Sequence, residues 1–365
     1  MAELYIGLIS GTSMDAIDVA LVDFSGNLPA IIATHNLPYP DELKKRLVTA
    51  LGLCEPLAAD LSELDTSVGT AFADATNCLL QLAGTRADQV IAIGSHGQTI
   101  HHAPDAPQPY SLQIGNANVI AAQTGIDVVA DFRRADIEAG GQGAPLVPAY
   151  HQAIFSSSEE HRAVVNIGGI ANITILPGEP GQPVTGFDTG PGNTLMDQWA
   201  LIHLDTALDM NGDWAAGGTI DEPLLDRLRQ DPYFNQPPPK SSGREYFNME
   251  WLQRYLAGED DKPRNIQATL CALTGSSIAD AIHHYAPDTR RLLVCGGGVH
   301  NTALMKALTN ELESVRVEST REHGIDPDWV EAVTFAWLAK QHLAGKPGNI
   351  PAVTGARHPV VLGNL

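Results

Sequence analysis

The chain reads as a duplicated, two-lobed α/β protein with a mixed sheet in each lobe, and three observations carry that reading. Tyr5 to Phe24 is a β-rich run, a polar turn Ser10-Gly11-Thr12-Ser13 and a second run; Ala163 to Leu176 repeats the design as strand, small-residue turn and strand. Around these hairpins, short apolar strands alternate with segments of helical spacing, the pattern of α/β architecture. At 365 residues the chain exceeds the size at which one core stops growing, so about two domains are expected.

The elements follow in order. After the first hairpin, Asp41 to Leu53 and Ala58 to Ala83 show helical spacing, with Leu61, Leu64, Val68, Phe72 and Ala75 on one face. Val90 to Gly94 is a buried strand leading into Ser95-His96-Gly97-Gln98-Thr99. Leu112 to Ala122 holds a strand end and a helix start, and the strand Ile126 to Ala130 ends at Asp131-Phe132-Arg133-Arg134. The Gly-rich stretch Gly140 to Pro148 lies near the lobe boundary. We place residues 1–135 with part of the segment 345–365 in the first lobe and 136–344 in the second. In the second half come the Ala163 hairpin, a loop Gly186 to Asn193 and a helix Thr194 to Leu204. The run Gln236 to Gly243, with three prolines, is irregular and lies over something. Helices Met249 to Leu256 and Ile266 to His284 precede the strand Arg291 to Cys295, the turn Gly296-Gly297-Gly298 and a helix Asn301 to Leu312. A last helix, Trp329 to Leu343, crosses back to the first lobe.

Composition narrows the function classes. Lys and Arg number 22 against 43 Asp and Glu, a net charge of −21 that repels nucleic-acid backbones and anionic lipid. An anionic ligand must then be held by local donors. Cys54, Cys78, Cys271 and Cys295 form no CxxC pair, which points to reduced thiols in the cytosol. No apolar run approaches a membrane span, and the N-terminus lacks a signal-peptide pattern.

Both hairpin tips suit phosphate, because backbone N–H groups and small polar side chains converge there. The first offers Ser10 to Asp18; the second offers Asn166, Gly168, Gly169 and Asn172. Taken singly, each is also an ordinary hairpin turn. Facing each other, they would clamp a polyphosphate between the lobes, with Asp15 or Asp18 holding a hydrated Mg²⁺ against it. Gly296, Gly297 and Gly298 let a strand-to-helix turn approach a ligand, although such turns favour glycine for steric reasons alone. In Gly186-Phe187-Asp188-Thr189-Gly190-Pro191-Gly192-Asn193 one carboxylate sits among three glycines with no cation inside the loop, and Asp188 is a candidate general base or else a turn cap. Arg133 and Arg134 suit a substrate carboxylate through paired N–H donors, or else salt bridges to Asp131, Asp136 or Glu138. His96, His101 and His102 read as loop or core residues.

Gly7–Asp18 (GLISGTSMDAID), Ser95–Thr99 (SHGQT), Ala130–Asp136 (ADFRRAD), Asn166–Asn172 (NIGGIAN), Gly186–Asn193 (GFDTGPGN), Pro238–Glu245 (PPKSSGRE) and Gly296–Asn301 (GGGVHN) together resemble the anhydro-N-acetylmuramic acid kinases over nearly the whole chain. The resemblance implies the ribonuclease H-like fold group of hexokinase, Hsp70 and actin, with a five-stranded mixed sheet per lobe and ATP in the interlobe cleft. It implies a cytoplasmic bacterial enzyme, a homodimer, that converts 1,6-anhydro-N-acetylmuramic acid, ATP and water to N-acetylmuramic acid 6-phosphate and ADP in cell-wall recycling. Carried onto this chain, Gly11, Thr12, Ser13, Met14, Asp15, Ala16, Ile17 and Asp18 form the ATP-phosphate segment, and Asn166, Gly168, Gly169, Gly190, Gly192, Gly296, Gly297, Gly298 and Asn301 complete the nucleotide site. Asp188 is the catalytic base, and Arg133, Arg134, Gln98 and Glu331 lie near the sugar. Ala16 departs from the family, which carries glycine there; a requirement for φ > 0 would cost alanine about 1 kcal/mol. The other readings are a kinase of another sugar or of a carboxylate, and an ATPase of the Hsp70 or actin type.

Overall fold

The computed structural model describes residues 2–11, 14–51, 58–104, 106–256 and 262–365. Thr12, Ser13 and Cys54, singled out above, lie outside them. Two compact units emerge: residues 1–150 with 329–365, and residues 151–328. The expected boundaries thus move, because residues 136–150 and the helix Val330–Leu343 pack with the first unit. Gly7 and Gly94, partners in register, leave no side chain under that helix; a Cβ at either would strike the backbone oxygen of Ala332 or Phe335.

The first unit contains β1 (Leu4–Ser10), β2 (Ala16–Asp23), β3 (Ala30–Pro38), β4 (Val90–Ala103), β5 (Tyr110–Ile114) and β6 (Val128–Val129). Its sheet runs β3-β2-β1-β4-β5, with β6 parallel to β4. Six strands stand where five were expected, because β4 extends through His101 and His102 and β5 folds back on the extension. The second unit contains β7 (His161–Ile167), β8 (Ile170–Leu176), β9 (Thr185–Pro191), β10 (Thr289–Cys295) and β11 (Arg316–Ser319), in the order β11-β10-β7-β8-β9. In each unit an antiparallel meander of three strands is continued on its first strand by a parallel fourth, so the duplication inferred from the hairpins extends to topology. The cores follow the strand alternation: Ile6, Leu8, Val19 and Leu21 in one unit, Val165, Ile167, Ile173 and Val294 in the other.

The expected loop Gly186–Asn193 is largely strand β9. Its glycines and Pro191 are tolerated because β9 is the sheet's edge. Strands β3 and β11 were likewise not expected from the sequence, and of β5 only the end after Leu112 was. Among the described residues no helix is long and apolar enough to cross a membrane.

Candidate active site

In the second unit one line of register crosses four strands: Cys295 pairs with Asn166, Asn166 with Asn172, and Asn172 with Asp188. Pairing places these side chains on one sheet face. The Asn172 amide donates to Asp188 Oδ1 at 2.8 Å, and the Ser242 backbone N–H donates to Oδ2 at 2.9 Å. The strand itself is pinned by Asp188 N–H to Lys240 O at 3.0 Å and by Tyr233 Oη to Asp188 O at 2.8 Å. Burial raises the Asp188 pKa above the usual aspartate value and Glu245 adds to it, while Asn172, Ser242 and Lys240 pull it down. A carboxylate that is oriented on both oxygens and made more basic can take a proton.

The proline-rich run therefore does lie over something: its Lys240–Ser242 backbone holds both the main chain and the carboxylate of Asp188. Lys240 supplies the cation absent from Asp188's own sequence neighbourhood, its ammonium resting on the Tyr233 and Phe234 carbonyls. Tyr233 stands on Asp231, which also accepts from Tyr246, Trp251 and Tyr255. A cavity of about 550 Å³ opens beside Phe187 and Thr189, which alternate with Asp188 along β9, and none of the expected site residues line it.

The β7–β8 turn, Gly168-Gly169, is held by its carbonyls: Asn193 N–H donates to Gly168 O, and Gly192 and Thr194 N–H to Gly169 O. Gly192 O accepts from Thr274, and Gly190 packs under Phe234. Gly296 has φ 77° and lies so close to Asn166 that no Cβ fits; Gly298 abuts Ile167, and Gly297 has more room. Asn301 caps the helix Thr302–Glu311 by accepting from Leu304 N–H. Its amide Nδ2 donates to Met196 Sδ at 3.9 Å.

In the first unit the β1–β2 turn closes through Met14 N–H to Gly11 O at 3.1 Å. The concern over Ala16 resolves here. The left-handed residue is Met14, φ 53°, while Ala16 opens β2 opposite Pro38. Ile17, beside it, is fully buried core. Asp15 is exposed and ion-paired with Lys44 at 3.2 Å, whereas Asp18 is half-buried and accepts from Asn36 at 2.6 Å. Gln98 is wholly buried: its Oε1 accepts from Ser10 Oγ at 2.7 Å and its Nε2 donates to Gly11 O and Thr99 O, so it fixes the turn from beneath.

Arg133 and Arg134 diverge. Arg134 is exposed and bonds Asp131 at 2.6 Å, the salt-bridge alternative, whereas Arg133 donates to Gly143 O at 2.7 Å and to His96 Nε2 through Nε and Nη2. His96, read above as a loop or core residue, is a buried acceptor. Its Nδ1 lies 3.0 Å from Gly97 O, so the neutral ring places its proton there and leaves Nε2 for Arg133. Burial and the Arg133 charge hold the His96 pKa down at about 3. Burial also lowers Arg133 to about 10, against Glu331 and Asp136, which raise it. Although Glu331 is exposed to solvent, partial loss of hydration and then the charge of Asp18 raise its carboxyl above the usual range, with Arg133 opposing. Arg133, Glu331 and Asp18 thus form one charge cluster. Ser95, His96, Asp131 and Arg134 line a cavity of about 270 Å³.

Two units of matching strand order, each opening on a hairpin, with an aspartate oriented on both oxygens in the second, define a duplicated α/β protein that carries a candidate general base. The family model "AnmK: Anhydro-N-acetylmuramic acid kinase" matches residues 3–365. The chain belongs to the anhydro-N-acetylmuramic acid kinase family. A relative of that name from Coxiella burnetii (strain RSA 493 / Nine Mile phase I) is 51% identical over 363 residues, covering 100% of this chain and 97% of the relative. Those from Xanthomonas campestris pv. campestris (strain 8004) and Shewanella denitrificans are 49% and 50% identical, covering 100% and 99% of this chain and 97% of each relative.

Proposed function

We propose that this protein opens the anhydro ring of 1,6-anhydro-N-acetylmuramic acid and phosphorylates O6 at the expense of ATP, with Asp188 as the base. The observation that carries the assignment of the base is the Asp188 carboxylate, held on both oxygens and raised in pKa, beside the β7–β8 turn. In a 1,6-anhydro sugar O6 is an ether oxygen with no proton to remove, so the base works on water. Asp188 takes a proton from a water whose oxygen bonds to C1 on the face opposite the C1–O6 bond. As C1–O6 breaks, O6 keeps the electron pair and bonds to the γ-phosphorus, whose bond to the departing ADP breaks. The proton leaves Asp188 for solvent after turnover. A glycosidase would need a second acid to protonate its leaving oxygen, whereas here the phosphoryl group captures it.

The glycines of the β7–β8 turn, at 166–169, are suited to the nucleotide phosphates, with Gly296–Gly298 of the same unit suited to approach its adenosine part. Among the described residues no group of three or more acidic, Cys or His side chains is placed to hold a metal directly. Asp18 fits water-mediated Mg²⁺, because the neighbouring Glu331 charge leaves a local negative excess, while Asp15 is already ion-paired with Lys44. Mg²⁺ bound there supplies charge neutralisation to the phosphates. Arg133, held by His96 and Gly143, is suited to the lactyl carboxylate, with Glu331 near the sugar hydroxyls. A cytoplasmic homodimer acting on a small sugar accords with the family, and the charge of −21 accords with neither nucleic acid nor membrane as partner.

The deciding experiment is turnover in H₂¹⁸O with 1,6-anhydro-N-acetylmuramic acid, following ADP and product mass. The label is expected at the anomeric oxygen. Label absent from that position would overturn the mechanism, and preference for plain N-acetylmuramic acid would favour an ordinary sugar kinase.

A further inference from the structure

The segment 240–245 reaches the candidate site twice. Its Ser242 N–H holds the Asp188 carboxylate, and two residues on, Arg244 reaches the β7–β8 turn. A Cβ built on Gly169 would lie 3.1 Å from Arg244 Nε and 3.2 Å from Nη2, so the guanidinium rests on the turn where glycine leaves it room. Arg244 is exposed, and among the described residues its head makes no hydrogen bond and no ion pair. Its charge acts on Asp197, and Glu245 follows it in the chain. Asp197 is half-buried, raised by burial to about 6 and pulled down by Arg244, without closing to an ion pair. Glu245 folds its carboxylate back against Gly243.

An unpaired guanidinium on the glycine turn of a protein carrying −21 is a site for an anion brought by a ligand. One strap links the turn that suits nucleotide phosphates to the base that activates water. The group that must lie between those two functions is the phosphoryl in transit. We propose that Arg244 is a further catalytic residue, whose guanidinium contacts the terminal phosphoryl group of the bound nucleoside triphosphate and stabilises it during transfer. The inference rests on the kinase reading above. Negative charge on the equatorial phosphoryl oxygens is what paired N–H donors match while the bond to ADP breaks and the bond to sugar O6 forms.

The test compares Arg244→Gln and Arg244→Lys with the wild type; the side chain is exposed, so both variants are expected to fold. Equilibrium binding is measured for ADP and for a non-hydrolysable ATP analogue, alongside sugar-dependent ADP release. For Arg244→Gln, ADP affinity is expected to stay within roughly twofold, triphosphate affinity to fall roughly 10- to 100-fold, and kcat to fall roughly 10²- to 10³-fold. Lysine restores the charge without the fork, so part of the kcat loss remains. Unchanged affinity for both nucleotides, or an equal loss for both, overturns the proposal. A lowered melting temperature with both affinities intact also overturns it and leaves Arg244 as a charge partner of Asp197. Failure of the kinase reading itself shows differently, as absence of sugar-dependent ADP release in the wild type, and the binding contrast still decides the role of Arg244.

Discussion

Replacing Asp188 by asparagine is the most direct perturbation, because the side chain keeps its shape and loses its basicity. Two fixed donors meet the carboxylate, Asn172 Nδ2 at 2.8 Å and Ser242 N at 2.9 Å. The amide oxygen of the substituted side chain can keep the Ser242 bond, which comes from backbone and cannot turn. Its NH₂ group then faces Asn172, whose own amide can rotate to offer Oδ1, so both bonds re-form and the stability change stays within about 1 kcal/mol. Burial disfavours the charged aspartate, so removing the charge offsets part of even that. The chemical step has no such substitute. Loss of a general base costs about 10²- to 10⁴-fold in kcat, or about 3 to 5 kcal/mol in activation free energy. The assay is coupled ADP release with the anhydro sugar, with nucleotide affinity and melting temperature measured on the same preparation. The expected outcome is turnover reduced at least about a hundredfold, with nucleotide binding and melting nearly unchanged. Turnover within about threefold of wild type would refute the assignment of the base, and a collapsed melting transition would refute the reasoning about exchangeable partners.

Because Asp188 must be unprotonated to act and its pKa is raised, kcat is expected to rise with pH through a limb above the ordinary aspartate range; that acid limb should vanish from the residual activity of Asp188→Asn. His96 and His151 are both buried and held near 3, so below about 6.5 the unfolded chain takes up protons that the folded chain refuses. Stability should therefore fall as pH drops from about 6.5 towards 3, by up to about 1.4 kcal/mol per pH unit for each histidine, measured as urea midpoints at several pH values; a flat profile would count against neutral buried rings. His96→Leu removes the Nε2 acceptor of Arg133 and should raise KM more for the lactyl-bearing sugar than for one lacking that group, and an equal rise for both would dissociate Arg133 from the carboxylate. Gly7→Ala places a methyl against the Ala332 carbonyl and should destabilise by about 1–3 kcal/mol or more in chemical denaturation; an unchanged midpoint would mean that the helix can lift off the sheet.

The two hairpins, the α/β class and the helix from Thr194 to Leu204 were all legible in the residue order, because each is set by local pattern: a small-residue turn between apolar runs, or a helical period. Edge strands escaped for a physical reason. β9, rich in glycine and ending in proline, has the composition of a loop and becomes a strand only because β8 is there to pair with it. The boundary between the units also depends on packing. The helix Val330–Leu343 joins the first unit through contacts far back in the chain, at Gly7 and Gly94.

Partnership, too, was decided in three dimensions. Arg133 and Arg134 are adjacent and chemically alike, yet one is fixed on His96 and Gly143 while the other is spent on Asp131. Gln98 proves to brace a turn, and Ala16 is relieved of strain because Met14 takes the left-handed conformation. The basicity of Asp188 comes from burial and its orientation from donors at 172 and 242, the latter 54 residues away in sequence. Local order therefore specified which chemical groups the protein carries and which elements present them. Hydrogen-bond partners and hydration, which set how those groups behave, arise from residues distant in sequence and exist only once the chain has folded.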